Sequence, residues 1–159
     1  MTETALEQIA RYRQGAKLIF ENAEALYNEA QTLGQAGSFA RAATLHQISM
    51  EECAKIDILG MHATSILMGH KIDEGRLATK LRVHQVKNFA NAYYARRTEA
   101  EQQAHERGDT KAALEASAQL QRNYHRDFNE IKNAGLYVEF DGDRFSSPKD
   151  IIRRSWQPR

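Results

Sequence analysis

The chain reads as all-α: an antiparallel four-helix bundle followed by a short irregular C-terminal extension. Three observations predict this. Apolar residues recur every three or four positions over long stretches, the signature of a helix with one buried face. Alanine, glutamate, glutamine, leucine and arginine dominate, while β-branched runs are almost absent. The two prolines stand at Pro148 and Pro158, so nothing before residue 148 meets that helix breaker.

The first helix is expected over residues 4–34, carried by Leu6, Ile9, Tyr12, Ala16, Ile19, Phe20, Ala23, Leu26, Tyr27, Ala30 and Leu33. It ends at the turn from Gly34 to Gly37. A second follows from Phe39 to Leu67, with Ser38 placed to cap it, and Gly69 with the polar run HKIDEG ends it. A third fits residues 76–107, with two apolar seams, Leu77–Leu81 and Val86–Ala90–Tyr93/Tyr94. Gly108 closes it, Asp109 caps the fourth, and the fourth runs from Thr110 to about Asn133 until Gly135 stops it. Residues 1–135 thus form the bundle.

Residues 136–159 change texture. Leu136 to Phe140 alternates, Asp141-Gly142-Asp143 forms turns, and Ser147-Pro148 can open a short helix with proline at its first position. This extension is too short for its own core and is expected to lie across the bundle.

At 159 residues the chain suits one domain with a real core. A net charge of +1 gives no whole-molecule field to draw in nucleic acid or an anionic membrane, so such binding needs a local patch. The single Cys53 cannot form an intrachain disulfide and fits a reducing compartment. The opening MTETALEQIARYRQG has early acids and no apolar core, unlike a signal peptide, and no apolar stretch is long enough to span a bilayer. The expected location is cytoplasmic, with no membrane partner.

Titratable residues gather on the second helix. Ala42, Leu45, Ser49, Ile56, Leu59 and Ala63 build a buried face there. Glu52 falls inside it, about 40° from Ile56, so it needs a buried partner such as His84 or a lysine of the third helix. Glu51 and Lys55 read as an ordinary surface pair at i, i+4.

Dimetal carboxylate chemistry needs Glu-x-x-His pairs, and the chain has none; Glu101 and His105 are four apart in a polar stretch. Cysteine-cluster zinc sites, HExxH and phosphate-cradling glycine loops are absent too, so no metal or cofactor is implied. Metal-independent RNA cleavage needs a base for the 2′-hydroxyl proton and a cation at the crowded phosphorus. Arg41 and His46 suit those roles, but positions five apart on a straight helix point about 140° from one another. Without a second chain or arginine's reach, they are a surface arginine and a histidine at the edge of the packed face. Arg122 and His125, three apart on the last helix, form a second arginine–histidine candidate. Arg76, Lys80, His84 and Lys87 fall within roughly 80° on the third helix, a small basic ridge that is either solvated or contacts phosphate.

Ala23-x-x-Leu26, Gly37-Ser38-Phe39, Arg41-Ala42, Leu45 and Glu51-Glu52-x-x-Lys55 resemble the opening two helices of HEPN domains. More narrowly they resemble the AbiV family of phage abortive-infection proteins. His84-x-x-Lys87 and the run from Lys132 to Phe140, ending at Ser147-Pro148, are similar to that family as well. The resemblance extends from about residue 20 to 150.

What the resemblance implies is a HEPN-like helical bundle that usually dimerises. Many HEPN domains are metal-independent ribonucleases using an arginine and a histidine four to six residues apart, a spacing Arg41 and His46 meet. In many HEPN nucleases that pair lies on a late helix; here it lies on the second, while Arg122 and His125 on the late helix have two residues between them. The implied protein is a ribonuclease toxin of phage defence, with RNA as substrate, a homodimer, and an antitoxin or phage-protein trigger. Arg41 would stabilise the phosphorane and His46 act as base. Glu52 and Lys55 would hold the geometry, and Arg76, Lys80, His84, Lys87, Arg122 and His125 would contact substrate. The alternative is a non-catalytic helical module that binds a partner protein or a nucleotide.

Overall fold

A computed structural model describes residues 4–152. Residues 153–159 of the expected extension lie outside the described residues. Seven helices are present among those described: α1 Ala5–Gln35, α2 Phe39–Leu67, α3 Glu74–Arg82, α4 His84–Ala92, α5 Glu99–Glu106, α6 Thr110–Leu136 and α7 Pro148–Ile151. Between α6 and α7 a two-stranded antiparallel hairpin pairs β1, Glu139–Phe140, with β2, Phe145–Ser146.

The long helices begin and end much as their sequences dictate. Thr4 and Glu7 form a capping box at the start of α1, each satisfying a backbone N–H of the other. At Gly37, φ is +77°, a conformation other residues adopt at a cost, and the chain reverses there into α2. Ser38 holds the cap position of α2, yet its hydroxyl makes no capping bond; the expected side-chain cap is not formed. Asp109 does cap α6, accepting from the Ala112 N–H at 3.0 Å.

α2 is the central element. α1 packs along one side of it, and α4 and α6 along the other. Small residues bring the axes close. Gly15 faces Leu59, Gly34 faces Ala42, and the Ser49 hydroxyl donates to the Ala23 carbonyl at 2.7 Å. Gly135 does not stop α6, as its type suggested, but sits within it. A Cβ there would overlap Thr44 Oγ1 and stand 2.6 Å from the Ala40 carbonyl oxygen. Glycine is at this position because α6 presses backbone to backbone on α2.

The apolar core occupies one end of the molecule. Tyr12, Ile58, Leu59, Ile66 and Leu77 form it, backed by Ile9, Ile19, Ile72, Leu81 and Val86. α3 is pinned to α1 there by Glu74, whose carboxylate accepts from Tyr12 Oη (2.8 Å) and Arg11 Nη2 (3.1 Å).

The third helix expected over 76–107 is three helices. Val83 is extended (φ −75°, ψ 116°) and redirects the chain between α3 and α4. The two apolar seams explain the break: Leu77 and Leu81 serve the core with α1, whereas α4 turns to α2 and α6. One straight helix cannot point at both neighbours. Tyr93 and Tyr94 leave the seam altogether and are exposed in the loop that follows. α7, capped by Ser147 and Asp150 around Pro148, rests on α2 and α6.

Candidate functional site

α2 has two buried faces, and the second one carries the chemistry. Ala40, Thr44, Gln47, Glu51, Ala54 and Ile58 are spaced by four and three residues alternately; the stripe from Ala40 to Glu51 lines the side against α4 and α6, and Ile58 carries it into the apolar core. Glu51, not Glu52, is therefore the interior carboxylate, with 2% exposure. Adjacent helix positions differ by about 100°, so Glu52 falls on the α1-facing stripe. Its side chain there is 14% exposed and finds the expected cationic and hydrogen-bonding partners in Lys55 and Asn22, not in His84. Glu52 lies at the α1 seam, where it accepts from Asn22 Nδ2 at 3.1 Å and pairs closely with Lys55. Lys55 thus belongs to Glu52, and the expected Glu51–Lys55 surface pair is not made.

Four groups converge on Glu51. His84 Nδ1, at the first position of α4, makes a short contact with Oε2. Lys87 Nζ, one turn further along α4, lies 3.3 Å from the same oxygen. Lys132 Nζ of α6 lies 3.7 Å from Oε1, and Gln47 Nε2 donates to Oε1 at 3.4 Å. Burial pushes the Glu51 carboxyl up; the hydrogen bond from His84 and the charges of Lys132, His84 and Lys87 outweigh it and hold the group below the usual carboxylate range. Lys87 is buried and Lys132 nearly so, while the His84 side chain is 57% exposed. The imidazole is the mouth of the cluster.

A polar chain continues inward from it. Gln47 Nε2 also donates to Asn88 Oδ1 at 3.2 Å, and Asn88 Nδ2 lies 3.1 Å from His125 Nδ1 on α6. An amide N–H can only donate, so this contact assigns Nδ1 of His125 as acceptor and its proton to Nε2. Gln47 Oε1 is buried with no hydrogen-bond partner among the described residues.

Electrostatically the cluster is unbalanced. One carboxylate faces two ammonium groups, so an excess positive charge is held in a largely dehydrated place. Such a site favours an anion, and near-enclosure strengthens the attraction over its value in water. Glu51 also fixes the histidine: it engages Nδ1 and orients a ring that is 57% exposed, leaving Nε2 as the nitrogen not held by the carboxylate.

The other sequence candidates are spread apart. Arg41 is exposed, and His46 packs edge-on against Tyr27 of α1, ring centroids 5.0 Å apart, with burial lowering its pKa. α2 is unbroken between them, so they keep their angular separation of about 140° within one chain. Arg122 is exposed and donates to Gln119 Oε1 at 2.7 Å, whereas His125 turns to α4. Arg76 and Lys80 lie exposed on α3, beyond Val83, so the basic ridge is not continuous with His84 and Lys87. Gln47, Glu51, Asn88 and Lys132 were not singled out as site residues from sequence; the alternating stripe through Ala40, Thr44, Gln47 and Ala54 is the signal that finds the first two. Among the described residues no group of three or more His, Cys, Asp or Glu could hold a metal ion. No helix among them is long and apolar enough to cross a membrane.

Fold and site together define an all-helical domain built on a central helix that buries a charged cluster among its neighbours. Residues 11–157 match the HEPN family model described as AbiV. The chain belongs to the AbiV family of HEPN type. A segment of 70 residues, 43% of this chain, is 40% identical to the protein described as uncharacterized protein y4gJ of Sinorhizobium fredii. That match spans 36% of the relative's own length. No solved structure matches the chain.

Proposed function

We propose that the protein is a metal-independent endoribonuclease whose site is the Glu51–His84–Lys87–Lys132 cluster. The observation that supports it is one buried carboxylate holding an exposed imidazole beside two lysines. His84 Nε2 takes the proton of a 2′-hydroxyl, and the freed oxygen attacks the adjacent phosphorus. Lys87 and Lys132 supply the positive charge that the crowded phosphorane needs. The 5′-oxygen leaves, taking a proton from the imidazolium or from water, and a 2′,3′-cyclic phosphate remains. Glu51 keeps the ring oriented and stabilises its protonated form, as a buried carboxylate does for other catalytic histidines. In this reading RNA is the substrate, and cutting it during infection halts the host.

Arg41 and His46 enter this scheme only through a second copy, since one chain holds them apart. The test is cleavage of bulk and transfer RNA by the purified full chain in EDTA, with His84→Ala, His46→Ala and Arg41→Ala beside wild type. The expected result is loss of cutting in His84→Ala with the fold retained, at a lowered Tm because Glu51 loses a hydrogen-bond partner. Cutting by His84→Ala at the wild-type rate overturns the assignment, and loss in His46→Ala alone moves the site to the α1–α2 seam.

A further inference from the structure

Beyond the cluster, α4 leads to a second feature. Tyr93 and Tyr94 close its C-terminal end in a mutual edge-to-face contact, centroids 5.5 Å apart. The Tyr94 hydroxyl donates to Asp57 Oδ1 of α2 at 3.0 Å, so Tyr94 is fixed and braces its neighbour. Tyr93 is 82% exposed, and one side of it borders a recess of about 250 Å³ between this loop, α5 and α6. That volume lies just below the range of about 300–1,000 Å³ typical of whole-ligand pockets, so it suits one ring system and not a large cofactor.

The recess has a chemical character. Glu101 forms part of its wall with a side chain only 11% exposed. Arg97 Nε and His105 Nε2 stand 3.8 Å from its Oε1, within ion-pairing reach but beyond hydrogen bonding. No described residue donates a hydrogen bond to either carboxylate oxygen. The carboxylate thus has ion-pairing neighbours but no hydrogen-bond donor of its own among the described residues, and its oxygens can still accept from a ligand in the recess. Leu120 gives the recess an apolar side, and Ser117 and Gln121 add polar groups.

We propose that this recess binds a guanine base. Guanine alone among the four RNA bases offers two adjacent N–H donors, N1–H and the exocyclic amino group, to the two oxygens of one carboxylate. Adenine and cytosine place a ring acceptor beside their amino group, and uracil flanks its single N–H with carbonyls; both patterns set a lone pair against the carboxylate. Tyr93 supplies the stacking face that base recognition uses in single strands. Arg97, on the rim, meets the phosphate. His84 and Tyr93 are nine positions apart on and just past α4, about 14 Å along the axis, within reach of a few nucleotides. The strand form of this proposal rests on the ribonuclease reading; the base pocket itself does not.

Calorimetric titration of the full chain with GMP, AMP, CMP and UMP tests it, together with a single-stranded 2′-O-methyl uridine tract carrying one guanine or none. The 2′-O-methyl strand has no hydroxyl to attack, so binding is read apart from cutting. GMP is expected to bind about tenfold or more tighter than the other three, the discrimination of one bidentate pair. Glu101→Gln erases that preference, and Tyr93→Ala weakens GMP and AMP alike. Tighter binding of the guanine tract than of GMP assigns the base to a strand; equal binding assigns it to the free nucleotide. Equal affinity for all four nucleotides, no binding in either form, or an intact guanine preference in Glu101→Gln overturns the proposal. Should Glu101→Gln fail to fold, Tyr93→Ala decides, and unchanged GMP affinity in it is fatal. A chain that binds guanine but cuts no RNA leaves the pocket standing and sinks the catalytic reading.

Discussion

Glu51 and His84 stand thirty-three residues apart in sequence and meet side chain to side chain, one carboxylate fully inside the protein and one imidazole largely in solvent. The contact joins the centre of α2 to the first turn of α4, and it places a titratable ring at the surface over a buried charge. Most of what can be tested about this protein follows from that pairing and from the two lysines beside it.

Glu51→Gln should destabilise the fold by about 3–5 kcal/mol at neutral pH, the usual cost of removing one partner from a buried ion pair. Lys87 would be left enclosed beside a neutral amide. Urea denaturation reads the loss. Adding Lys87→Met should return part of it, because the stranded ammonium goes too, and the shortfall from additivity measures the coupling. A double variant no more stable than Glu51→Gln would show that the lysine does not depend on this carboxylate.

Acid titration separates the same group. Because the folded-state pKa of Glu51 is lowered, its stabilisation is complete above the ordinary carboxylate value of 4.5 and disappears as pH falls through the folded value. The stability gap between wild type and Glu51→Gln should be constant from neutrality toward that value and narrow below it. Thermal melts of the two proteins at matched pH provide the comparison; a gap that widens in acid would reverse the assigned sign.

Tyr12 makes the alkaline counterpart. Burial, the hydrogen bond to Glu74 and that carboxylate's charge push its phenol up to about 12 from 10.0. The neutral phenol is the form the fold favours, so its contribution is present below pH 10 and is lost as pH rises toward 12. Spectrophotometric titration should show tyrosine ionisation extending toward pH 12, and Tyr12→Phe should remove the latest part of it.

Gly135→Ala tests the packing of α6 on α2. Its methyl would collide with the Thr44 hydroxyl and the Ala40 carbonyl, and overpacking of this kind costs about 1–3 kcal/mol even though alanine is the better helix former. Thr44→Ala should recover a part of the loss, the remainder reflecting the backbone oxygen. A stabilised Gly135→Ala would mean the two helices are free to separate.

The sequence was informative wherever one local signal settled the outcome. α2 spans Phe39–Leu67 as periodicity and flanking glycines indicate, Asp109 caps α6, and Pro148 opens the last helix behind Ser147. It was ambiguous wherever two neighbours competed for one helix. Glu51 and Glu52 are adjacent, and both stripes of α2 are buried, so periodicity alone could not say which glutamate faces α4. Val83 carries no breaker chemistry; the chain bends there because the residues before it and those after it pack on different partners. Gly135 looks like a terminator in sequence and acts as a spacer in space, a distinction that only the position of Thr44 reveals.

The apolar core and the charged cluster divide α2 between them: the cluster at Gln47 and Glu51, the core from Ile58 to Ile66. The two halves of one helix are therefore secured by different forces, with different responses to salt and temperature. Local opening should begin at the polar half, where few large side chains interlock, and leave the other end intact. Amide hydrogens of residues 42–51 would then exchange with solvent well before those of residues 58–66, and raised ionic strength would widen the interval between them.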